Sequence, residues 1–230
     1  MTAAPYRLLA HALAERGIGT LRIDKRGMFA SKAAVADANA VTIADYVTDT
    51  ASWVGAARTA TGAGCIWLLG HSEGGIVALA AAQEVPHLCG IILVAVPGRP
   101  LATVLREQLR ANPANAPLLD EAEAAIATLE TGERVDVTPL HPALQSLFAP
   151  AVQGFLIDLM AQDPAALAKQ TDLPMLIVHG GTDLQVTAIE VNGDYLLVDR
   201  ASYGDPSLPV SRALVAGVAD FVTRDRGASE

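Results

Sequence analysis

The chain has 230 residues, enough for one sizeable domain but too few for two full ones. Hydrophobic residues make up 51% and charged residues 18%, a balance that predicts a buried globular core and argues against disorder. The formal net charge is -9, and the cations are scattered apart from Lys25-Arg26, so we expect no nucleic-acid binding.

Cysteine usage and the N-terminus bear on location. Cys65 and Cys89 each begin an apolar run, and we expect free thiols of a reduced intracellular protein. A disulfide stays open, because adjacent strands could bring the two sulfurs together. The first residues lack a basic region followed by a continuous apolar one, and no uninterrupted apolar stretch reaches the roughly 18 residues of a membrane span. The sequence therefore predicts a cytoplasmic protein without a membrane span.

Apolar periodicity predicts alternating helices and strands along the first hundred residues. Helices are expected over residues 5–16, 43–60 and 75–84, strands over 17–24, 65–69 and 90–96, and a loop over 25–40. Strand and helix alternating with short joints is typical of right-handed βαβ units, so we expect an α/β fold with a mainly parallel sheet flanked by helices.

The alternation of strands and helices stops after the third predicted strand. Residues 99–170 have helical patterns rich in Ala and Leu, which predicts a helical cap inserted within a single domain whose core is 1–98 and 171–230. A strand over 174–178 resumes the sheet. Residues 188–198 read as a hairpin around Asn192-Gly193, since Asn-Gly supplies the two positive-φ residues of a tight turn. A helix over 210–223 closes the pattern.

The sharpest local signal is Gly70-His71-Ser72-Glu73-Gly74, which follows a buried strand and opens a helix. A serine on such a turn is exposed at the edge of the sheet, and helix N-terminal amides can receive an oxyanion there. The pattern predicts a nucleophile elbow, with Ser72 as nucleophile and the Glu73 backbone N–H as oxyanion donor.

A serine hydroxyl needs a base, and the base needs an orienting carboxylate. The chain order expected for such a turn is Ser, acid, His, and Asp183 follows the predicted strand 174–178 in a glycine-flanked loop. Asp199 and Asp205 are weaker candidates. The chain has no histidine after His179, so His141, at the start of a cap helix, and His71 are the possible substitute bases.

Four stretches carry a resemblance to a known family, namely 21–27, 70–75, 176–186 and 203–209. With them the chain resembles the small bacterial carboxylesterase and serine-aminopeptidase-like group of the α/β-hydrolase superfamily. The resemblance implies a Ser72–Asp183 pair, an acyl-enzyme and esters with small acyl groups. Relatives also have a catalytic histidine upstream of the segment like 203–209, and strands with an oxyanion loop before the first helix; this chain shows neither.

The leading interpretation is a serine hydrolase that cleaves small carboxylic esters through an acyl-enzyme on Ser72. Because that histidine is missing, a second interpretation stays open: a catalytically impaired protein of this fold that binds a ligand or a partner. A third is that segments before Met1 and between Val186 and Tyr203 are lacking from the chain.

Other features of the sequence are less specific. No metal-ligand cluster or dinucleotide fingerprint is present, so we expect no metal and no cofactor. An unpaired sheet edge favours a homo-oligomer. The turn Asp24-Lys25-Arg26-Gly27 lies at the predicted active-site edge; it could fix a lid by salt bridges, although a structural turn is favoured.

Overall fold

The computed structural model describes residues 5–180, 193–198 and 210–224. The helices within these ranges are α1 Pro5–Ala14, α2 Ile43–Thr61, α3 Glu73–Glu84, α4 Leu101–Ala111, α5 Leu119–Glu130, α6 Pro142–Leu147, α7 Gln153–Met160, α8 Pro164–Lys169 and α9 Arg212–Arg224. The strands are β1 Ile66–His71, β2 Leu88–Val94, β3 Met175–Gly180 and β4 Asp194–Val198. Short 3₁₀ helices occupy Phe29–Ala34, Ala38–Ala40, Pro113–Leu118 and Pro150–Val152.

The four strands form one parallel sheet in the order β1-β2-β3-β4. The register pairs His71 with Val94 and Val94 with Val178, which brings the carboxyl ends of the first three strands to one edge. Continuous apolar runs suit these strands because helices cover both faces of a parallel sheet. The predicted parallel α/β arrangement is therefore confirmed.

Successive residues of β2 divide between two helical layers, as the alternation of side chains along a strand requires. Ile91 and Leu93 are buried under α2 and α3, whereas Ile92 faces α1 and α9. Helix α2 starts at a capping box, in which the Thr42 hydroxyl accepts from the Asp45 amide and the Asp45 carboxylate accepts from the Thr42 amide. The sheet is thus held between two apolar layers.

The helical segment from α4 to α8 lies between β2 and β3 in the chain and has a core of its own. Ile126, Leu129 and Phe148 are fully buried within it. The prediction of helices here is confirmed, but the segment follows the second strand of the sheet rather than the third.

This difference arises because the predicted strand over 17–24 is wrong: the segment is not hydrogen-bonded into the sheet. Leu21 and Ile23 are 54% and 45% exposed. A β-strand needs a partner for its backbone groups, and among the described residues no strand lies beside this segment. Apolar and polar residues do alternate along this segment, but only Ile18, at its start, is buried, and it packs against α1.

The predicted hairpin lies partly outside the described residues, since they exclude its first arm, 188–191. Its second arm is β4, which pairs in parallel with β3, joining Ile177 to Tyr195 through the backbone. The open edge of β3 is thereby satisfied by a strand.

The expectation of free thiols is wrong, because Cys65 and Cys89 form a disulfide. Their Cα atoms are 5.1 Å apart at the start of β1 and β2. Pairing of the two strands brings the sulfurs together, and this was the alternative that the sequence left open. Stable disulfides are typical of oxidising compartments, so the argument for a cytoplasmic location from free thiols no longer holds.

Within the part of the chain that the structure describes, one segment, Pro142–Lys169, is apolar enough by length and composition to cross a membrane. The structure divides it into α6, α7 and α8, which have 6, 8 and 6 residues. A spanning helix needs roughly 20 residues, and none of these three helices approaches that length.

Removing the disulfide should destabilise the fold. The bond closes a loop with a sequence separation of 24. Loss of a cross-link over such a loop costs about 3 to 4 kcal/mol through the entropy of the unfolded chain. We expect the Cys65→Ser/Cys89→Ser variant to unfold at a clearly lower urea concentration. A reductant should shift the wild type and leave the variant unchanged; a wild type that ignores the reductant would contradict the prediction.

Candidate active site

Ser72 lies on the turn that joins β1 to α3; we call residues 70–75 the Ser72 turn. Its φ of 53° and ψ of -124° are in a region that side chains other than glycine rarely adopt. The residue is exposed, and its hydroxyl does not cap α3. The turn therefore presents a serine in a strained conformation at the carboxyl edge of the sheet.

Two glycines let the helix start this close to the sheet. A Cβ on Gly70 would lie 2.2 Å from the Gly74 carbonyl oxygen. A Cβ on Gly75 would lie 2.0 Å from Cγ2 of Val96, which follows β2. By contrast, a Cβ on Gly74 would have nothing within 4 Å. Gly70 and Gly75 thus set the approach of α3 to β1 and β2.

The neighbouring strand supports the turn from the side. The Ser72 amide donates to the Val94 carbonyl at 2.9 Å. Ala95, directly after β2, also has a positive φ, 49°, and its amide donates to the Val178 carbonyl. Two strained residues at adjacent strand ends are typical of functional sites. Nothing in the sequence marks Ala95, because alanine gives no signal for positive φ.

Glu73 is the first residue of α3. The amides of a first helical turn have no partner within the helix, and they carry the positive end of its dipole. The Gly75 amide is used to close the turn onto the Ser72 carbonyl, at 2.9 Å. An amide at the start of α3 beside Ser72 can chemically stabilise a negatively charged oxygen.

The turn Asp24–Gly27 is fixed to two different elements. Arg26 makes a two-pronged ion pair with Asp49, both bonds at 2.7 Å, and another with Asp45 at 2.9 Å. The hydrogen bond to Asp49 outweighs burial and raises the pKa of the Arg26 guanidinium. Since both carboxylates are on α2, Arg26 ties the turn to that helix.

Lys25 reaches the Ser72 turn itself. Its Nζ lies 2.6 Å from Glu73 Oε1, and 4.9 Å and 5.7 Å from the ring centroids of Tyr46 and Phe155. Burial alone would lower the pKa of Lys25, but the hydrogen bond and charge of Glu73 raise it above its ordinary value. Lys25 therefore stays protonated. The sequence placed this lysine at the site edge without identifying its partner.

Helix α7 is docked onto the chain that leads into α2. The Gly154 amide donates to Asn39 Oδ1 at 3.0 Å, and a Cβ on Gly154 would lie 2.2 Å from the Asn39 carbonyl oxygen. Asp158 accepts from the Ile43 amide at 2.6 Å, which places a carboxylate at the N-terminus of α2. The helical segment is thereby anchored at α7, next to Lys25.

The histidines proposed as substitute bases have other partners. Nδ1 of His71 is 2.9 Å from the Tyr6 hydroxyl of α1, so the ring is directed towards that helix. His141 caps α6, where its ring accepts from the Ala143 amide, and its own amide donates to Glu121. Among the hydrogen bonds of the described residues, none joins a histidine to the Ser72 hydroxyl. Asp183 lies outside those residues.

A parallel sheet between helical layers, with an exposed serine at positive φ between strand and helix, is the arrangement of an α/β hydrolase. Residues 2–203 match the family described as "Serine aminopeptidase, S33", and the chain belongs to that family. The resemblance predicted from the four motifs is confirmed.

Among curated proteins, the chain is similar to Esterase EstD of Thermotoga maritima, with 30% identity over 183 residues. This match covers 79% of the chain but only 42% of EstD, so the chain spans less than half the length of that relative.

Solved structures share the fold at low identity. A thermophilic esterase from Thermogutta terrifontis is 17% identical, with a TM-score of 0.56, over 95% of this chain and 86% of its own. Est1E from Butyrivibrio proteoclasticus, solved with ferulic acid, is 18% identical with a TM-score of 0.56, over 96% and 82%. These likenesses establish the α/β-hydrolase fold.

Adding a methyl group at Gly70 should disrupt the Ser72 turn. Because the added carbon would meet backbone rather than a flexible side chain, we expect Gly70→Ala to lower the free energy of unfolding by about 2 to 3 kcal/mol or more. Gly74→Ala is the matched control, since its methyl group has free space and alanine favours helix. Urea unfolding measures both, and equal stability of the two variants would refute the packing argument.

Proposed function

We propose that the protein is a serine hydrolase that cleaves small carboxylic esters through an acyl-enzyme on Ser72. The observation that carries the proposal is the exposed Ser72, held at φ 53° at the N-terminus of α3. The family and the esterase relative support the same chemistry.

In the proposed reaction the Ser72 hydroxyl oxygen attacks the ester carbonyl carbon while a base takes its proton. The oxygen of the tetrahedral intermediate accepts a hydrogen bond from the Glu73 amide. The intermediate expels the alcohol, which receives the proton, and leaves an ester on Ser72. Water then attacks this ester by the same route and releases the acid.

The remaining roles belong to the same proposal. Asp183 would orient a histidine, as the order of motifs along the chain suggests. Both substitute bases, His141 and His71, stay in the proposal, because the ring of each has a comparable hydrogen-bond partner, the Ala143 amide for His141 and the Tyr6 hydroxyl for His71. We further propose that the helical segment 99–170 serves as a cap, supported by the docking of α7 beside Lys25.

A second candidate is a ligand-binding or interaction module without catalysis. It is favoured by one observation, that among the hydrogen bonds within the described ranges none joins a histidine to the Ser72 hydroxyl. Loss of a triad member typically costs about 10⁴-fold or more in turnover, so a chain without a base would be a very poor esterase.

Labelling by a fluorophosphonate probe separates the two candidates. We expect the wild type to be labelled and to hydrolyse p-nitrophenyl acetate, and Ser72→Ala to lose both, turnover by about 10⁴-fold or more because the nucleophile is gone. Ser52→Ala, an exposed serine on α2, is the matched control. A wild type labelled no better than Ser72→Ala, with thermal stabilisation by a ligand and no turnover, would favour the binding module.

The proposed acid and base can be tested together. If Asp183 orients a histidine, Asp183→Asn should lower kcat by about 10⁴-fold, because the imidazole loses its correct tautomer. Loss of the base, tested by His141→Asn and His71→Asn, should cost about 10⁴-fold or more.

The controls are Asp199→Asn and Asp205→Asn for the acid, and His87→Asn, at an exposed joint before β2, for the base. Initial rates with p-nitrophenyl acetate provide the measurement. Activity within a few-fold of wild type in Asp183→Asn would contradict the triad, and a loss in His71→Asn alone would assign the base to His71 instead of His141.

A further inference from the structure

Lys25 is the point at which the Ser72 turn, α2 and α7 meet. Its ammonium group pairs with Glu73 at 2.6 Å and lies over the rings of Tyr46 and Phe155. The two rings themselves stack edge to face with centroids 5.9 Å apart. One side chain thus joins the turn that holds Ser72, a helix of the sheet layer and the helical segment.

The position of Glu73 gives this contact a chemical consequence. Glu73 is the first residue of α3, directly after Ser72, so its carboxylate places a negative charge at the end of the helix where Ser72 lies. That end is also where negative charge develops on the carbonyl oxygen in the proposed reaction. Two negative charges at short range repel each other, and the repulsion is strong where water is partly excluded.

Lys25 supplies the compensating charge. The side chains of Lys25 and Glu73 are 40% and 33% exposed, so the pair is screened only in part by water. The nearby cation Arg26 cannot replace it, because its guanidinium is held by Asp45 and Asp49 on α2. Lys25 also does not act as the base, since it remains protonated beside Glu73.

We propose that Lys25 is a positioning residue that neutralises the Glu73 carboxylate, so that the start of α3 stays favourable to an oxyanion formed at Ser72. This inference rests on the proposed acyl transfer at Ser72. Lys25 acts through Glu73 and does not touch the substrate. The rings of Tyr46 and Phe155 hold the Lys25 ammonium group in place. Because Phe155 is on α7, the position of this charge depends on the docking of α7.

A double-mutant cycle tests the proposal. The variants are Lys25→Met, Glu73→Gln and Lys25→Met/Glu73→Gln, each measured by the rate of fluorophosphonate labelling and by kcat and KM for p-nitrophenyl acetate. We expect Lys25→Met to lower kcat by about tenfold with little change in KM, because the repulsion acts on charge that develops only in the transition state.

For the variants that lack the Glu73 charge we expect rates higher than that of Lys25→Met. Glu73→Gln should be labelled faster than wild type, since the Lys25 charge is then unopposed. The double variant should recover most of the rate lost in Lys25→Met, and Lys25→Arg should retain most of the wild-type rate. Lys32→Met, at an exposed lysine of the 3₁₀ helix Phe29–Ala34, should behave as wild type.

Three results would overturn the inference. Lys25→Met could leave the rate unchanged. The loss could persist in the double variant, which would show that Lys25 acts by packing. Glu73→Gln, which keeps the shape of the side chain, could be labelled more slowly than wild type; this comparison with wild type holds even if Lys25→Met fails to fold. If the wild type is labelled no better than Ser72→Ala, the proposed function fails and this inference falls with it, whereas normal wild-type labelling together with a double variant as slow as Lys25→Met refutes the inference alone.

Discussion

The close approach of α3 to the sheet is the constraint on which the rest of the site depends. Without side chains at Gly70 and Gly75, the helix can begin directly beside the carboxyl ends of β1 and β2. The chain has one residue, Ser72, in which to change from strand to helix, and this forces its positive φ. The position of Ser72, its exposure and the helix N-terminus beside its hydroxyl therefore follow from Gly70 and Gly75.

Charged contacts then arrange the remaining elements around this turn. Arg26 fixes the loop after residue 24 to α2 through Asp45 and Asp49, which leaves the adjacent Lys25 to reach Glu73. Asp158 of α7 caps the amide of Ile43 at the start of α2. Helix α2 is thus the common support of both the loop and the helical segment, and a shift of α2 would be transmitted to the Ser72 turn through Lys25.

The sequence predicted what local patterns determine. Short apolar runs located β1, β2 and β3, although β1, at the edge of the sheet, is only half-buried. The glycine spacing around Ser72 located the turn, because a close approach of helix and sheet requires glycine. The strand prediction was wrong for residues 17–24. Their alternating pattern indicates a preference for β-structure, but a strand also needs a neighbouring strand with which to pair. The disulfide and the Lys25–Glu73 pair depend on contacts between distant segments, and residue type alone could only leave them open.

The conformation of Ser72 bears on whether the site is chemical or only structural. A non-glycine residue held outside the favoured φ regions costs about 1 to 3 kcal/mol, which surrounding packing must offset. For folding alone, glycine would suit this position better, since it adopts positive φ without that cost. The Ser72 hydroxyl does not offset the strain by capping α3. A strained serine whose side chain contributes no cap to its own helix supports the proposed role of that hydroxyl as nucleophile.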